Sequence, residues 1–306
     1  MRVFVTGATG WVGAAVVKEL IDAGHQVLGL ARSEDSARML VEAGARVYEG
    51  ALDDLHSLRA GASECDGVIH TAFKSDFSQF QENADLDRRV IEAIGDVLAG
   101  SNRPFVTTSG TLMIAMATPG RLGTEQDTPD ASIPRVPSEL ATLSLASRGV
   151  RASVMRLPPS VHGDGDRGFV PRLIDIARQT GVSGFVGDGS NRWPAVHRAD
   201  AARAFRLALE NGQAGARYHA VDDDGIPVRE LAEIIARRLG VPAASIDPDK
   251  IQAHFGFLAM FIGLDAPVSS VQTREQLGWT PVERGLGADL AQGRYFDGTK
   301  SKFTSG

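Results

Sequence analysis

Apolar positions in the first half of the chain follow two alternating rhythms. Short unbroken runs at Val3–Val5, Gln26–Leu30, Ala45–Tyr48, Gly67–His70, Phe105–Thr107 and Ala152–Arg156 read as strands buried on both faces. Between them the apolar residues recur at helical spacing: Val12, Val16, Val17, Leu20 and Ile21 first, then Ser36–Ala43, a short piece near Leu55–Ala60, Phe80–Leu98 and Ser138–Ser147. Strands alternating with helices imply an α/β architecture, a parallel sheet covered by helices on both faces.

After Arg156 the rhythm breaks. Leu157-Pro-Pro-Ser-Val-His-Gly-Asp-Gly-Asp166 is rich in proline and glycine and reads as a functional loop. Helical patterns follow at Phe169–Thr180, Ala199–Leu209 and Val228–Leu239, with a short strand at Phe185-Val186, an apolar stretch over Pro248–Leu264 and a last helix near Val282–Tyr295. The expected organisation is a sheet domain over residues 1–156, a smaller substrate-binding lobe over 157–298 partly folded back onto the sheet, and a disordered tail over 299–306.

The first strand-to-helix turn carries the candidate chemistry. Thr6-Gly7-Ala8-Thr9-Gly10 lies between a strand and a helix inside a βαβ unit of about 30 residues, the context in which a glycine pattern is informative. Gly7 permits a tight turn, Gly10 lets backbone N–H groups approach a pyrophosphate, and Gly13 lets the helix lie close to the strand. The free N–H groups and positive dipole end of the helix favour the anion. The sheet is therefore expected to be a doubly wound, Rossmann-type sheet with a dinucleotide at the C-terminal ends of its strands.

Composition narrows the class. A net charge of −6 argues against a nucleic-acid or anionic-membrane binder, and no apolar run is long enough to span a bilayer. Cys65 is the single cysteine, which excludes an intrachain disulfide and a cysteine metal cluster. The chain starts directly on a strand, and a cytoplasmic location is the expectation. No histidines or carboxylates fall at metal-ligand spacing.

Thr6-Gly-Ala-Thr-Gly-Trp-Val-Gly13 resembles the TGxxGxxG motif of the extended short-chain dehydrogenase/reductases, the NAD-dependent epimerase/dehydratase-like family. The resemblance covers nearly the whole chain. Gly50-Ala-Leu-Asp-Asp54 resembles the family's GDLxD segment. His70-Thr-Ala-Phe73 stands at its cofactor-contacting loop, Thr107-Thr-Ser-Gly-Thr111 at its catalytic serine or threonine, and Arg156–Gly163 at its nicotinamide-side loop. Pro194–Asp200 resembles the segment leading into a helix of the substrate lobe. The resemblance implies cofactor contacts from Gly7, Thr9, Gly10, Trp11, Val12, Gly13, Arg32, Ser33, Ala51, Leu52, Thr71, Ala72, Phe73, Thr107, Pro158, Ser160 and Val161. It also implies a homodimer through the helices at Phe80–Leu98 and Ser138–Ser147.

The departures are as specific. The family's Tyr-x-x-x-Lys pair is absent: Tyr48, Tyr218 and Tyr295 are followed four positions on by Leu52, Asp222 and Thr299, and no lysine occurs between Lys74 and Lys250. Arg135-Val-Pro-Ser-Glu139 stands in its place, with Arg135 at the tyrosine position and Glu139 at the lysine position. Four apart on one helix, the two are expected to share a face and pair. Arg135 can stabilise charge developing on a carbonyl oxygen, and Glu139 can accept bonds from ribose hydroxyls. Ser109 can bond a substrate carbonyl, with Thr111 as the alternative, and His162 can donate a proton near neutral pH. His70 is expected to pack beneath the cofactor, and His197 with Asp200 to form a helix-entry cap. Ala51 replaces the first aspartate of GDLxD. Ala31-Arg32 supplies a cation and no carboxylate where NAD-specific members hold a ribose 2′-hydroxyl, so Arg32 suits a 2′-phosphate.

These readings point to an NADP(H)-dependent oxidoreductase, NAD(H) being possible, acting on a small or medium carbonyl-type substrate. Two alternatives remain at this stage: a non-catalytic NADP(H)-binding sensor, and an isomerase or epimerase with tightly held cofactor.

Overall fold

The computed structural model describes residues 1–74, 77–118 and 120–297. The predicted tail at 299–306 lies outside them. In chain order the strands are β1 Arg2–Thr6, β2 Gln26–Ala31, β3 Arg46–Glu49, β4 Gly67–His70, β5 Pro104–Gly110, β6 Arg151–Leu157, β7 Ser160–His162, β8 Ser183–Val186, β9 Arg192–His197, β10 Arg217–His219, β11 Asp223–Pro227 and β12 Ala243–Ile246. The helices are α1 Trp11–Asp22, α2 Glu34–Glu42, α3 Leu55–Ser63, α4 Phe80–Leu98, α5 Leu112–Ala117, α6 Val136–Ser144, α7 Phe169–Thr180, α8 Arg198–Asn211, α9 Val228–Leu239, α10 Ile251–Phe255, α11 Val271–Leu277 and α12 Leu286–Gln292.

Seven strands form a parallel sheet in the order β10-β6-β5-β4-β1-β2-β3. This is the doubly wound Rossmann arrangement: the order reverses between β1 and β4, and every C-terminal strand end opens on one edge. Strand alternation sorts the core into two layers. Val3 and Val5 pack with Val16, Val17, Leu20, Phe205 and Leu209 on the face covered by α1 and α8. Phe4 packs with Leu58, Val90, Ile94 and Phe105 on the opposite face, beneath α3 and α4. A third cluster, including Ile174, Trp193, Ile235 and Leu286, forms the core of the lobe.

The lobe contains a three-stranded sheet, β11-β9-β7, and a parallel pair, β12-β8. Four of these strands were not expected from the sequence: β7, β9, β11 and β12 are short or interrupted by proline. The chain also returns to the main sheet, where β10 pairs with β6 and α8 packs on α1. Two helix boundaries differ from expectation for local reasons. Helix α2 begins at Glu34 rather than Ser36, because the Ser33 hydroxyl accepts from the Ser36 amide. The last helix begins at Leu286 rather than Val282, because the buried Asp200 carboxylate holds the Val282 and Glu283 amides in a loop. Among the described residues, no helix is long and apolar enough to cross a membrane.

Candidate functional site

At the start of α1, the backbone is shaped for an anion. Gly7 sits at φ +66°, and a Cβ there would lie 2.7 Å from the Ala72 nitrogen. A Cβ on Gly13 would lie 2.0 Å from the Gly7 carbonyl oxygen, so helix and strand approach as only glycine allows. Gly10 is exposed and extended, and its Cβ would meet only the Gly7 oxygen, at 3.1 Å. The neighbouring helices α2 and α3 are capped by the side chains of Ser33 and Asp54. Helix α1 has no side-chain cap and no acidic residue in its first turn. Its first amides, those of Trp11, Val12 and Gly13, are thus free for a ligand, and the residues present fit a dinucleotide pyrophosphate.

The flanking contacts brace this loop. The Thr71 hydroxyl donates to the Thr6 carbonyl at 2.8 Å, and the Trp11 indole N–H donates to the Val161 carbonyl at 2.7 Å. The Arg198 guanidinium lies 4.0 Å over the Trp11 ring. Thr9, Thr71, Ala72 and Phe73 are half-buried around the loop. Ala51 and Leu52 are half-buried in the turn before α3, with Leu52 packed on the core. Ala31 is buried, while Arg32 and Ser33 are exposed at the end of β2. Asp53, which feels the Arg32 charge, is paired with Lys74 at 3.3 Å, and the pair holds its carboxyl below the usual range.

Three expectations for the catalytic edge require correction. Arg135 and Glu139 do not pair. Arg135 is the N-cap residue of α6, and its side chain turns back to the sheet. There its Nη2 donates to the Thr108 carbonyl at 2.7 Å and lies 3.4 Å from Asp87 Oδ2, with the guanidinium 4.1 Å over the Phe73 ring. Glu139 is not presented to a ligand. It is 3% exposed and accepts from Ser109 Oγ at 3.0 Å, Arg156 Nε at 3.1 Å and Arg217 Nε at 2.9 Å, with Arg156 Nη2 closing a bidentate fork. Burial opposes ionisation, but Arg156, Ser109 and Arg217 together hold this carboxyl below its usual range. His162 faces the lobe interior, fully buried. Its Nδ1 is 2.9 Å from Asp289 Oδ2 and its ring packs edge-on to His197. Burial pushes its pKa down against the pull of Asp289.

Ser109 and Arg135 stay at the strand ends. Thr107 does not: it is 1% exposed and its hydroxyl meets that of Thr142 at 3.0 Å, under α6. Thr111 is fully buried. Pro158 and Ser160 are buried beside the end of β6, and Val161 packs on the sheet core. His197 caps α8 through the Ala199 amide at 3.2 Å.

Sequence reasoning missed two supports. Arg156 is fully buried near the end of the central strand β6, a position where a cation requires a partner, and that signal was available. It bonds Glu139, the Asp127 carbonyl at 3.0 Å and His219 Nε2 at 3.3 Å. His219 is pushed down to about 3 by burial. The second support is Asp87, in the middle of α4, which reaches both His70 and Arg135.

Residues 3–222 match the NAD dependent epimerase/dehydratase family. An uncharacterized protein of Schizosaccharomyces pombe is 52% identical over 97% of this chain and 100% of its own length. The 2-alkyl-3-oxoalkanoate reductase of Stenotrophomonas maltophilia is 30% identical over 79% of this chain and 77% of its own. Among solved structures, the dTDP-glucose 4,6-dehydratase of Streptomyces venezuelae, with NAD bound, superposes with a TM-score of 0.75 over 97% of both chains at 19% identity.

Proposed function

This chain belongs to the NAD dependent epimerase/dehydratase family, and within it we propose an NADP(H)-dependent oxidoreductase that passes hydride between nicotinamide and a small or medium carbonyl substrate. The likeness to a 2-alkyl-3-oxoalkanoate reductase supports a carbonyl substrate. The observation that carries the reading is the half-buried Arg135 guanidinium at the sheet edge, in the sequence position of the family's tyrosine.

The bound dinucleotide supplies the hydride. The α1 amides would hold its pyrophosphate. Arg32, exposed and not committed to an ion pair among the described residues, offers its fork to a 2′-phosphate, since Asp53 is already taken by Lys74. Arg135 cannot donate a proton at neutral pH, but its N–H groups stabilise the negative charge that hydride addition places on a carbonyl oxygen, and solvent water then protonates that alkoxide. Ser109 directs its proton at Glu139, so it does not donate to a substrate carbonyl as the sequence led one to expect; its lone pairs can accept from the hydroxyl that replaces that carbonyl after reduction. Glu139 serves as the anchor that fixes Ser109, Arg156 and Arg217. Pairing of two copies through α4 and α6 belongs to the same reading; Leu140 on α6 is 41% exposed.

The test follows NADPH absorbance with a panel of aldehydes, ketones and β-keto acids. Turnover of one class, faster with NADPH than NADH, is expected. Tight NADPH binding with no turnover across the panel would favour the sensor class instead.

A further inference from the structure

Beneath the proposed site runs a continuous polar line through otherwise apolar packing. Thr6, the residue preceding Gly7, places its Oγ1 2.6 Å from His70 Nδ1. His70 Nε2 lies 3.0 Å from Asp87 Oδ1, and Asp87 Oδ2 lies 3.4 Å from Arg135 Nη2. Thr6 is fully buried, His70 is 2% exposed and Asp87 4%. The elements involved are far apart in sequence, at the ends of β1 and β4, inside α4 and ahead of α6, so the line is assembled only by the fold.

A carboxylate inside a helix that packs on a sheet is costly unless it is paired and bonded. Asp87 has both partners. With its carboxylate ionised it is an acceptor facing His70 Nε2, while the other ring nitrogen faces the Thr6 hydroxyl. Burial opposes that ionisation, while Arg135, His70 and Ser138 together keep the carboxyl below its usual range. The other oxygen then faces the guanidinium, with the Thr108 carbonyl and the Phe73 ring fixing two further directions. Without Asp87, the guanidinium retains only a neutral carbonyl and a ring face, and the side chain regains rotamer freedom.

We propose that Asp87, itself oriented by His70 and Thr6, is the positioning residue that sets the direction and charge balance of Arg135. The consequence for catalysis rests on the oxidoreductase reading above; the consequence for Arg135 itself does not. Asp87 is 4% exposed and its two oxygens face His70 and Arg135, so it acts through the arginine.

The experiment treats the full chain with phenylglyoxal and maps each arginine by peptide mass, for wild type, Asp87→Asn and His70→Gln. Asp87→Asn is nearly isosteric, and His70→Gln removes the carboxylate's anchor without touching the pair, so one variant remains if the other does not fold. Removing the carboxylate breaks the 3.4 Å ion pair that holds the guanidinium, so Asp87→Asn is expected to speed labelling of Arg135 by about tenfold, with exposed Arg32 unchanged. His70→Gln is expected to give a smaller acceleration at the same residue. With a substrate in hand, Asp87→Asn is expected to lower kcat about tenfold and leave the NADPH Kd unchanged, and the double variant with Arg135→Ala to be no slower than Arg135→Ala alone. Arg135 labelling at the wild-type rate in both folded variants overturns the proposal. Faster labelling without any turnover supports the positioning of Arg135 and removes the oxidoreductase reading instead.

Discussion

Ser109 Oγ donates to Glu139 Oε2 across 3.0 Å, and this one hydrogen bond ties the end of β5 to a buried cluster of three charges. The cluster consists of Glu139, fully buried Arg156 and Arg217. Replacing Glu139 by glutamine would leave Arg156 buried without its counter-charge. Glu139→Gln is therefore expected to destabilise the fold by about 3–5 kcal/mol, the range for breaking a buried pair from one side. Urea unfolding measures it, and a loss under about 0.5 kcal/mol would mean that the cluster is solvated.

Arg32 governs the choice between dinucleotides in our reading. Arg32→Ala is expected to weaken NADPH binding by about 1.5–3 kcal/mol and leave NADH nearly unchanged, as for loss of a bond to a charged group. Calorimetric titration of both cofactors decides it; equal losses would place Arg32 away from the 2′-phosphate.

Gly10 separates binding from folding. Its φ of −72° is open to any residue, and a new Cβ would meet only the Gly7 oxygen. Gly10→Val is expected to keep its circular dichroism spectrum and lose both dinucleotides, because the branched side chain takes the space before the α1 amides. Wild-type affinity in this variant would move the pyrophosphate elsewhere.

Arg135→Ala tests the oxyanion role directly. A fall in kcat/KM of about a hundredfold with NADPH affinity little changed is expected, as for removal of one oxyanion donor. Wild-type turnover in that variant would reduce Arg135 to a structural role.

Asp166 gives a pH signature. Burial raises its carboxyl from 3.8 to about 6, and both oxygens are bonded, to the Gly168 amide at 2.7 Å and the Tyr295 hydroxyl at 3.0 Å. With the folded pKa above the unfolded one, the folded state holds more protons between the two values. Stability from this group is therefore complete below about pH 4 and is lost as pH rises through about 6, by about 2–3 kcal/mol in all. Asp166→Asn is expected to melt above the wild type at pH 7–8 and with it near pH 4 in calorimetric scans. Parallel Tm curves across that range would contradict the shift.

The parts of this fold visible in the sequence were those written locally. The apolar runs at Val3–Val5 and Gly67–His70 and the helical spacing from Val12 to Ile21 each fall within one element, and Gly7, Gly10 and Gly13 name their own turn. What was hidden depends on distance in sequence. Glu139 looked like a partner for Arg135 because a sequence offers only local geometry, here the spacing of a helix; the fold instead brings Arg156 and Arg217 to it from two strands. Arg135 itself falls just outside the helix, where the spacing rule no longer applies. His162 looked available because its loop is rich in glycine and proline, yet β7 pairs with β9 and buries its ring.

The hydrogen bond from the Trp11 indole to Val161 makes this residue an optical reporter. Trp193 and Trp279 are 0% and 1% exposed in the two cores, whereas Trp11 is half-buried at the start of α1, under the Arg198 guanidinium. Its emission therefore senses the mouth of the glycine turn. A reduced nicotinamide absorbs where tryptophan emits, so energy transfer from Trp11 turns dinucleotide occupancy into a light signal that needs no label and no substrate.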